Sequence, residues 1–151
     1  MDEFDPLENA WENRKGCDLC TYPYVLCVTD ARGNRKVSFQ LSGLGLKDKK
    51  FPKVESEEII GIDASGNKEL SVDMGKFHEK MEYIDVSHTK ASGTIDCKKF
   101  ISLKVLKLKG TKNVELNNCN NLDYLSNAAV TTNTLFSLIS VFMCIAMFLV
   151  A

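Results

Sequence analysis

The feature that most constrains the fold is a repeat in the middle of the chain, with a period of about 22 residues that is typical of solenoids. Segments beginning at Ile59, Met81 and Leu103 align without gaps, and each reads apolar-x-x-apolar-x-apolar-x-x-Asn/Thr. One such unit cannot bury its apolar side alone, so neighbouring units stack and share a core. The sequence therefore predicts stacked coils and disfavours a sandwich of unrelated amphipathic strands.

The pattern also predicts which side chains face inward. Two interior columns are expected, Ile62–Ile84–Leu106 and Ala64–Val86–Leu108. Weaker copies at Phe39 and Leu122 extend the array, and a second match aligns residues 71–77 with residues 94–100. Strands stacked in this way are parallel and about 4.8 Å apart.

The unit has the consensus of a leucine-rich repeat, whose period is about 20 to 29 residues. We therefore expect an α/β-type solenoid, a short leucine-rich-repeat coil with a parallel sheet on its concave face. The expected parts are an N-terminal helical and disulfide cap (1–36), the repeats themselves (37–126) and a hydrophobic C-terminal segment (127–151).

Residues between the interior positions should face outward and form a ligand-binding surface on the concave side. The candidate residues are Tyr83, Asp85, Val105, Lys107 and Lys109. Asp85 beside Lys107 would be an opposite-charge pair on adjacent strands. A solvated face without a ligand is the alternative.

Catalysis has little support, because the chain contains no nucleophile elbow, P-loop or zinc-protease motif. We expect no enzyme activity, no cofactor and no metal site. The recurring carboxylates are interpreted as solvated strand positions: Asp63, Asp73, Asp85 and Asp96. Six lysines between residues 98 and 112 form a predicted basic patch, but without stacking aromatic residues they do not indicate nucleic acid.

An N-terminal helix is predicted to begin near Asp5, with Pro6 in its first turn, and to end at Gly16. The chain has six cysteines, which suggests an oxidising compartment or a metal site. Cys97 and Cys119 lie one repeat apart, so a disulfide between them is sterically possible. Two buried free thiols are the favoured interpretation of that pair.

The segment from Cys20 to Cys27, with Tyr22, Tyr24 and Val25 inside it, resembles the N-terminal cap of plant-type leucine-rich repeats. Residues 41–46 and 51–52 resemble the first repeat of that class, although Tyr22 stands where tryptophan is usual. The combination is similar to the GPI-anchored promastigote surface antigens of kinetoplastids. This resemblance implies a Cys20–Cys27 disulfide and a role in host contact or surface protection.

The C-terminal segment from Leu135 to Ala151 is apolar except for Ser137 and Ser140. Small residues, a polar spacer and an apolar tail form the pattern of a GPI-attachment signal. Asn127 is the favoured attachment residue and Ser126 the alternative. A retained tail anchor and a helix docked on the body are the rival interpretations, and the acidic N-terminus does not have the pattern of the secretory signal that GPI attachment requires.

The sequence thus predicts a non-enzymatic, GPI-anchored protein of the extracellular face of the cell membrane. It would bind a protein or glycan through its concave face, or serve as a surface coat. The alternative is a tail-anchored intracellular membrane protein that acts as a small interaction subunit, whose cysteines would be mostly reduced.

Overall fold

The computed structural model describes residues 19–21, 23–47, 57–120 and 122–126. Over these residues the chain forms a β-solenoid of about four turns. The helical elements in this part of the chain are two short 3-10 helices, Leu19–Thr21 and Met74–Lys76. The strands described are β1 (Val25–Thr29), β2 (Arg35–Gln40), β3 (Ile59–Asp63), β4 (Ser71–Asp73), β5 (Tyr83–Asp85), β6 (Lys90–Asp96), β7 (Val105–Lys107), β8 (Asn113–Asn117) and β9 (Tyr124–Ser126).

Six of these strands form one sheet in the order β1-β2-β3-β5-β7-β9, which is parallel except for the antiparallel pair β1–β2. Ile62 pairs with Ile84, and Ile84 pairs with Leu106. All three side chains are fully buried. The predicted interior column is therefore confirmed, and the weaker copies extend it to Phe39 and Leu125.

The other three strands form a second parallel sheet in the order β4-β6-β8. This sheet stands where an α/β solenoid would have helices, so the described residues show the predicted solenoid and parallel sheet but not the α-helical part. The return path is short, and a strand covers about 3.3 Å per residue whereas a helix covers about 1.5 Å. A strand therefore crosses the coil in fewer residues.

The register of the second sheet differs from the predicted repeat. Val72 pairs with Ala91, whereas the sequence match would have placed it beside Ile95. The long strand β6 uses its first residues to pair with β4 and its later ones to pair with β8. Gly93 lies at this change of partner with a φ of 105°, a conformation that favours glycine.

The apolar core lies between the two sheets. It combines the interior column of the six-stranded sheet with residues of the second sheet such as Val72 and Ile95, which are also fully buried. Burying one aliphatic side chain of this size contributes about 1.5–3 kcal/mol. Hence each strand is stable only because the coil folds back and its neighbours stack on it.

The Asn/Thr position of the repeat closes the turn that follows each of the strands β3, β5 and β7. The buried Asn67 amide donates to the carbonyl oxygens of Leu41 (2.8 Å) and Ala64 (2.9 Å), and its oxygen accepts from the backbone N–H of Leu46 (3.0 Å). Thr89 and Thr111 donate to carbonyls three residues earlier, at 2.7 and 2.8 Å. This position is therefore polar because it satisfies backbone groups that the turn buries.

Carboxylates close the corners in a similar way. Each one accepts a hydrogen bond from the backbone N–H two residues further along the chain, at 2.9 to 3.2 Å. Such Asx turns are local structural devices. The residues that share this role are Asp63, Asp73, Asp85 and Asp96.

Two disulfides are present in the described residues. Cys20 in the first 3-10 helix is bonded to Cys27 in β1, which is the pairing that the cap resemblance implies. Cys97 is bonded to Cys119, with a Cα–Cα distance of 4.9 Å, so the expectation of two free thiols is wrong. The two residues follow the last paired positions of β6 and β8, which brings their backbones within bonding distance.

Some features predicted from the sequence lie outside the described residues: the N-terminal helix (5–16), Cys17, Cys144, Asn127 and the C-terminal segment (135–151). Among the residues that are described, the structure has no helix of the length and apolarity needed to cross a membrane. The hairpin β1–β2 joins the predicted cap to the repeats, because β2 extends across the expected boundary at residue 36.

Candidate binding surface

The outward-facing side chains of the six-stranded sheet form one surface, which we call the outer face and which corresponds to the predicted concave face. In the strand register, Gly61, Tyr83, Val105 and Tyr124 form one row across this surface. Asp63, Asp85, Lys107 and Ser126 form the next row. The outward positions predicted from the repeat are thus present, and the two rows continue onto β2 through Ser38 and Gln40.

Four side chains of these rows form a connected group, the tyrosine–lysine cluster, which consists of Tyr83, Asp85, Lys107 and Tyr124. The Lys107 Nζ atom donates to the Tyr83 hydroxyl at 3.2 Å and lies 3.5 Å from Asp85 Oδ2. The Tyr83 hydroxyl donates in turn to Asp85 Oδ2 at 3.4 Å. The three groups therefore hold one another in place on adjacent strands.

The Lys107 ammonium also lies near two aromatic rings. Its Nζ atom is 5.4 Å from the centre of the Tyr83 ring and 6.0 Å from that of Tyr124. Contacts of this length are cation–π interactions, worth about 0.5–1 kcal/mol at exposed sites. Half of the Tyr124 surface (51%) remains exposed, so this ring is open to a partner.

The ionisation states of the cluster follow from its packing. Burial raises the pKa of the Tyr83 hydroxyl, so this group is neutral at physiological pH. The Tyr83 hydroxyl and, after it, the Asp85 carboxylate raise the pKa of Lys107, which therefore keeps its charge. The cluster consequently presents one cation beside a neutral tyrosine hydroxyl.

Asp85 is the predicted site residue whose environment differs most from expectation. It was predicted to be solvated, but it is only 6% exposed because the side chains of Tyr83 and Lys107 contact it. Its other oxygen accepts from the backbone N–H of Ser87. Asp85 therefore lies beneath Tyr83 and Lys107 and holds their polar groups in place. A ligand on the outer face would contact Tyr83 and Lys107 first.

The structure separates the remaining candidates. Val105 is half-buried in the row between Tyr83 and Tyr124, so it belongs to the same patch. Lys109 lies in the exposed turn after β7, beyond the cluster. Tyr124 was missed as a site residue, although the weak repeat at residues 122–125 contained the signal: its alignment places Tyr124 beside Val105.

The predicted basic patch is not one surface. Lys98 and Lys99 lie in the corner after β6, whereas Lys109 and Lys112 lie beyond the opposite end of β7. The other two lysines are held in ion pairs, Lys104 with Glu82 at 3.1 Å and Lys107 with Asp85. The lysines therefore provide local charges at two corners and not a continuous basic field.

Glu82 connects three coils at the other end of the outer face. Its two carboxylate oxygens accept from Lys36 at 2.6 Å and from Lys104 at 3.1 Å. The hydrogen bond from Lys36 lowers the pKa of Glu82, and Glu82 raises that of Lys36. Since Lys36 lies in β2, two strands away from β5, this pairing fixes the coils relative to one another.

The residues that the structure describes contain no group of three or more histidine, cysteine or acidic side chains that could hold a metal ion. A groove of about 440 Å³ is lined by residues of the second sheet and its turns, among them Phe77, Asp96 and Phe100. This groove lies away from the outer face and contains no residue of the tyrosine–lysine cluster.

No protein-family model, no curated protein and no solved structure matches this chain.

Proposed function

We propose that this protein is a non-enzymatic binding module of the leucine-rich-repeat type that engages a protein or glycan partner through the outer face. The tyrosine–lysine cluster is the observation that carries the proposal. Tyrosine is enriched among the residues that dominate binding energy, because its ring supplies contact area and its hydroxyl supplies a hydrogen bond. Lys107 adds a charge that the neighbouring rings already orient.

Preorganisation supports this assignment. Lys107 is held by a hydroxyl, a carboxylate and two rings, so little side-chain freedom remains to be lost when a partner binds. The rows run across consecutive parallel strands, which gives an extended surface of the kind that solenoids use for binding. A partner that offers acidic or hydroxyl groups would complement the cluster.

Affinity measurements test the proposal. The full chain in detergent would be screened against arrayed extracellular proteins and glycans, and each hit measured with Tyr83→Ala and Tyr124→Ala variants. We expect each substitution to weaken binding about tenfold or more, since truncating a central interface residue costs at least about 1–2 kcal/mol. Ile101→Ala is the matched control, because Ile101 is an exposed apolar residue outside the outer face. A ligand whose affinity neither tyrosine variant changes would contradict the proposal.

The location that we propose is the extracellular face of the cell membrane, with attachment through the C-terminal segment. The two disulfides support an oxidising compartment. Release of the protein from cells by a phosphatidylinositol-specific phospholipase would support GPI attachment, and Asn127→Gln should abolish the release while Asn133→Gln leaves it unchanged. Retention on the membrane after phospholipase treatment would instead favour the tail-anchored alternative.

A further inference from the structure

In the described part of the chain, β1 is an edge strand of the six-stranded sheet and pairs with β2 alone. The Gln40 N–H donates to the Tyr24 carbonyl at 2.7 Å. Because backbone groups alternate in direction along an antiparallel strand, the even-numbered residues from Tyr24 onward point theirs toward β2. Val25, Cys27 and Thr29 therefore point their N–H and C=O groups away from β2, at the sheet edge.

The same strand carries exposed apolar side chains. Leu26 and Val28, which we call the apolar stripe, are 54% and 52% exposed, and they share the outer face with their partner residues in β2, while Tyr24, in the turn before β1, is 46% exposed. Natural edge strands are usually prevented from pairing with other chains by a lysine, a proline, a bulge or a very short length. β1 has five uncharged residues and a regular register, whereas β9, at the other edge of the sheet in the described part of the chain, has three residues there. β1 thus has the features of a strand that pairs with another chain.

We propose that β1 is a dimerisation edge, at which a second copy of this chain adds its own β1 in antiparallel orientation with Leu26 on the two-fold axis. In this register Val25 lies opposite Cys27 of the second copy, and Tyr24 lies opposite Val28 of the second copy. The exposed apolar side chains of the two stripes then cover one another.

The hydrogen-bonding directions agree with this register. Val25 and Cys27 both point their backbone groups outward, so each forms a hydrogen-bonded pair with the other residue of the second copy. Leu26 then occupies a non-hydrogen-bonded position, where the Cα atoms approach to about 4.5 Å and the side chains are closest. Centring the pair on Cys27 would instead place Tyr24 opposite Asp30, so a carboxylate would lie beside the apolar stripe.

A second copy satisfies this edge better than an unrelated strand because the stripe is complementary to itself. The strand is uncharged, so antiparallel pairing with itself brings no like charges together. Two-fold pairing also closes after two copies and leaves no open β1 edge for further growth. The axis is perpendicular to the sheet, so both tyrosine–lysine clusters would face the same side of one continuous sheet.

Register-specific crosslinking tests the proposal in the full chain in detergent, with Cys17→Ser and Cys144→Ser as the background. Leu26→Cys should give a covalent dimer under mild oxidation, because the two introduced thiols meet on the axis. Val28→Cys is the matched control: it is exposed on the same stripe but faces Tyr24 of the second copy, so it should remain uncrosslinked. Equal crosslinking of both variants, or of neither, would overturn the proposal.

Light scattering tests the same edge without introduced thiols. We expect twice the monomer mass, and Leu26→Lys should raise the dimer dissociation constant about tenfold or more, because it places two ammonium groups on the axis. A dimer that survives Leu26→Lys would assign association to another part of the chain. If the unsubstituted chain is a monomer and Leu26→Lys lowers its melting temperature, the chain's own N-terminal segment covers the exposed apolar side chains of β1. Either result would overturn the proposal.

Discussion

The two sheets of the solenoid keep their registers to different degrees. In the centre of the six-stranded sheet the interior column advances by the same step from Ile62 to Ile84 and from Ile84 to Leu106, but the last step, from Leu106 to Leu125, is shorter. In the second sheet the step from Val72 to Ala91 is as short as that last step, and the step from Ile95 to Leu116 is intermediate. The central strands of the six-stranded sheet therefore keep the repeat, while the second sheet and the last coil accommodate differences in loop length.

The difference arises at the corners. After β3, β5 and β7, a buried polar side chain such as Asn67 forms hydrogen bonds with the turn backbone, which restricts that turn to one length. At the end of β6 and β8 the coils are instead joined by the Cys97–Cys119 disulfide. This bond holds the ends of β6 and β8 together but does not set the register of β4 against β6, where the step is shortest.

The largest loss of stability is expected for a substitution in the centre of the six-stranded sheet. Ile84→Ala removes most of a fully buried side chain between Ile62 and Leu106, and we expect the free energy of unfolding to fall by about 2–5 kcal/mol. Leu116→Ala, at a half-buried position of the second sheet, should cost less than half as much. Urea denaturation measures both. Equal losses would show that the two sheets contribute alike.

Removing the Cys97–Cys119 bond should have the next largest effect. The two cysteines have a sequence separation of 22. Because the bond reduces the entropy of the unfolded chain, a loop of this length should add about 3 kcal/mol to the free energy of unfolding. The Cys20–Cys27 bond, with a separation of 7, should contribute about 2 kcal/mol. Paired serine variants, compared by thermal unfolding, give the ranking. If removing the Cys20–Cys27 bond lowered the stability more, the N-terminal hairpin would be the region that the disulfides stabilise most.

Removing the buried Asn67 side chain should lower the free energy of unfolding by less than removing the disulfide does. Asn67→Ala leaves two carbonyl groups and one N–H without their partner, at a cost of about 1–3 kcal/mol. Thr111→Val removes one hydrogen bond and keeps the shape, so about 0.5–1.5 kcal/mol is expected. Chemical denaturation of the two variants distinguishes them. If Asn67→Ala left the stability unchanged, the hydrogen bonds of Asn67 would not be what restricts the length of this turn.

The smallest effect concerns pH. Because Lys36 lowers the pKa of Glu82, this carboxylate binds its proton less readily in the folded chain than in the unfolded one. Its stabilising contribution is present above the ordinary pKa of 4.5 and is lost as the pH falls through the lower folded pKa. We expect less than about 1 kcal/mol. Melting curves of Glu82→Gln should show a weaker dependence on pH in that range, with Glu79→Gln as the control.

Much of the six-stranded sheet could be predicted from the spacing of apolar residues, and its outer rows followed from strand alternation at Tyr83, Asp85 and Lys107. The burial of Asp85 could not be predicted, because it depends on side chains of neighbouring strands closing over it. Tyr124 was overlooked since its repeat is shorter than those before it. The second sheet was missed because its strands do not keep a constant period.

By itself, the sequence determined that the chain coils and which aliphatic side chains share an interior, because a constant period allows similar surfaces to bury one another. Only the tertiary structure decided that strands, rather than helices, cross the back of each coil. It also decided that Cys97 meets Cys119 and that β1 lies at the edge of its sheet in the described part of the chain. These features depend on distances between coils, which no single repeat encodes.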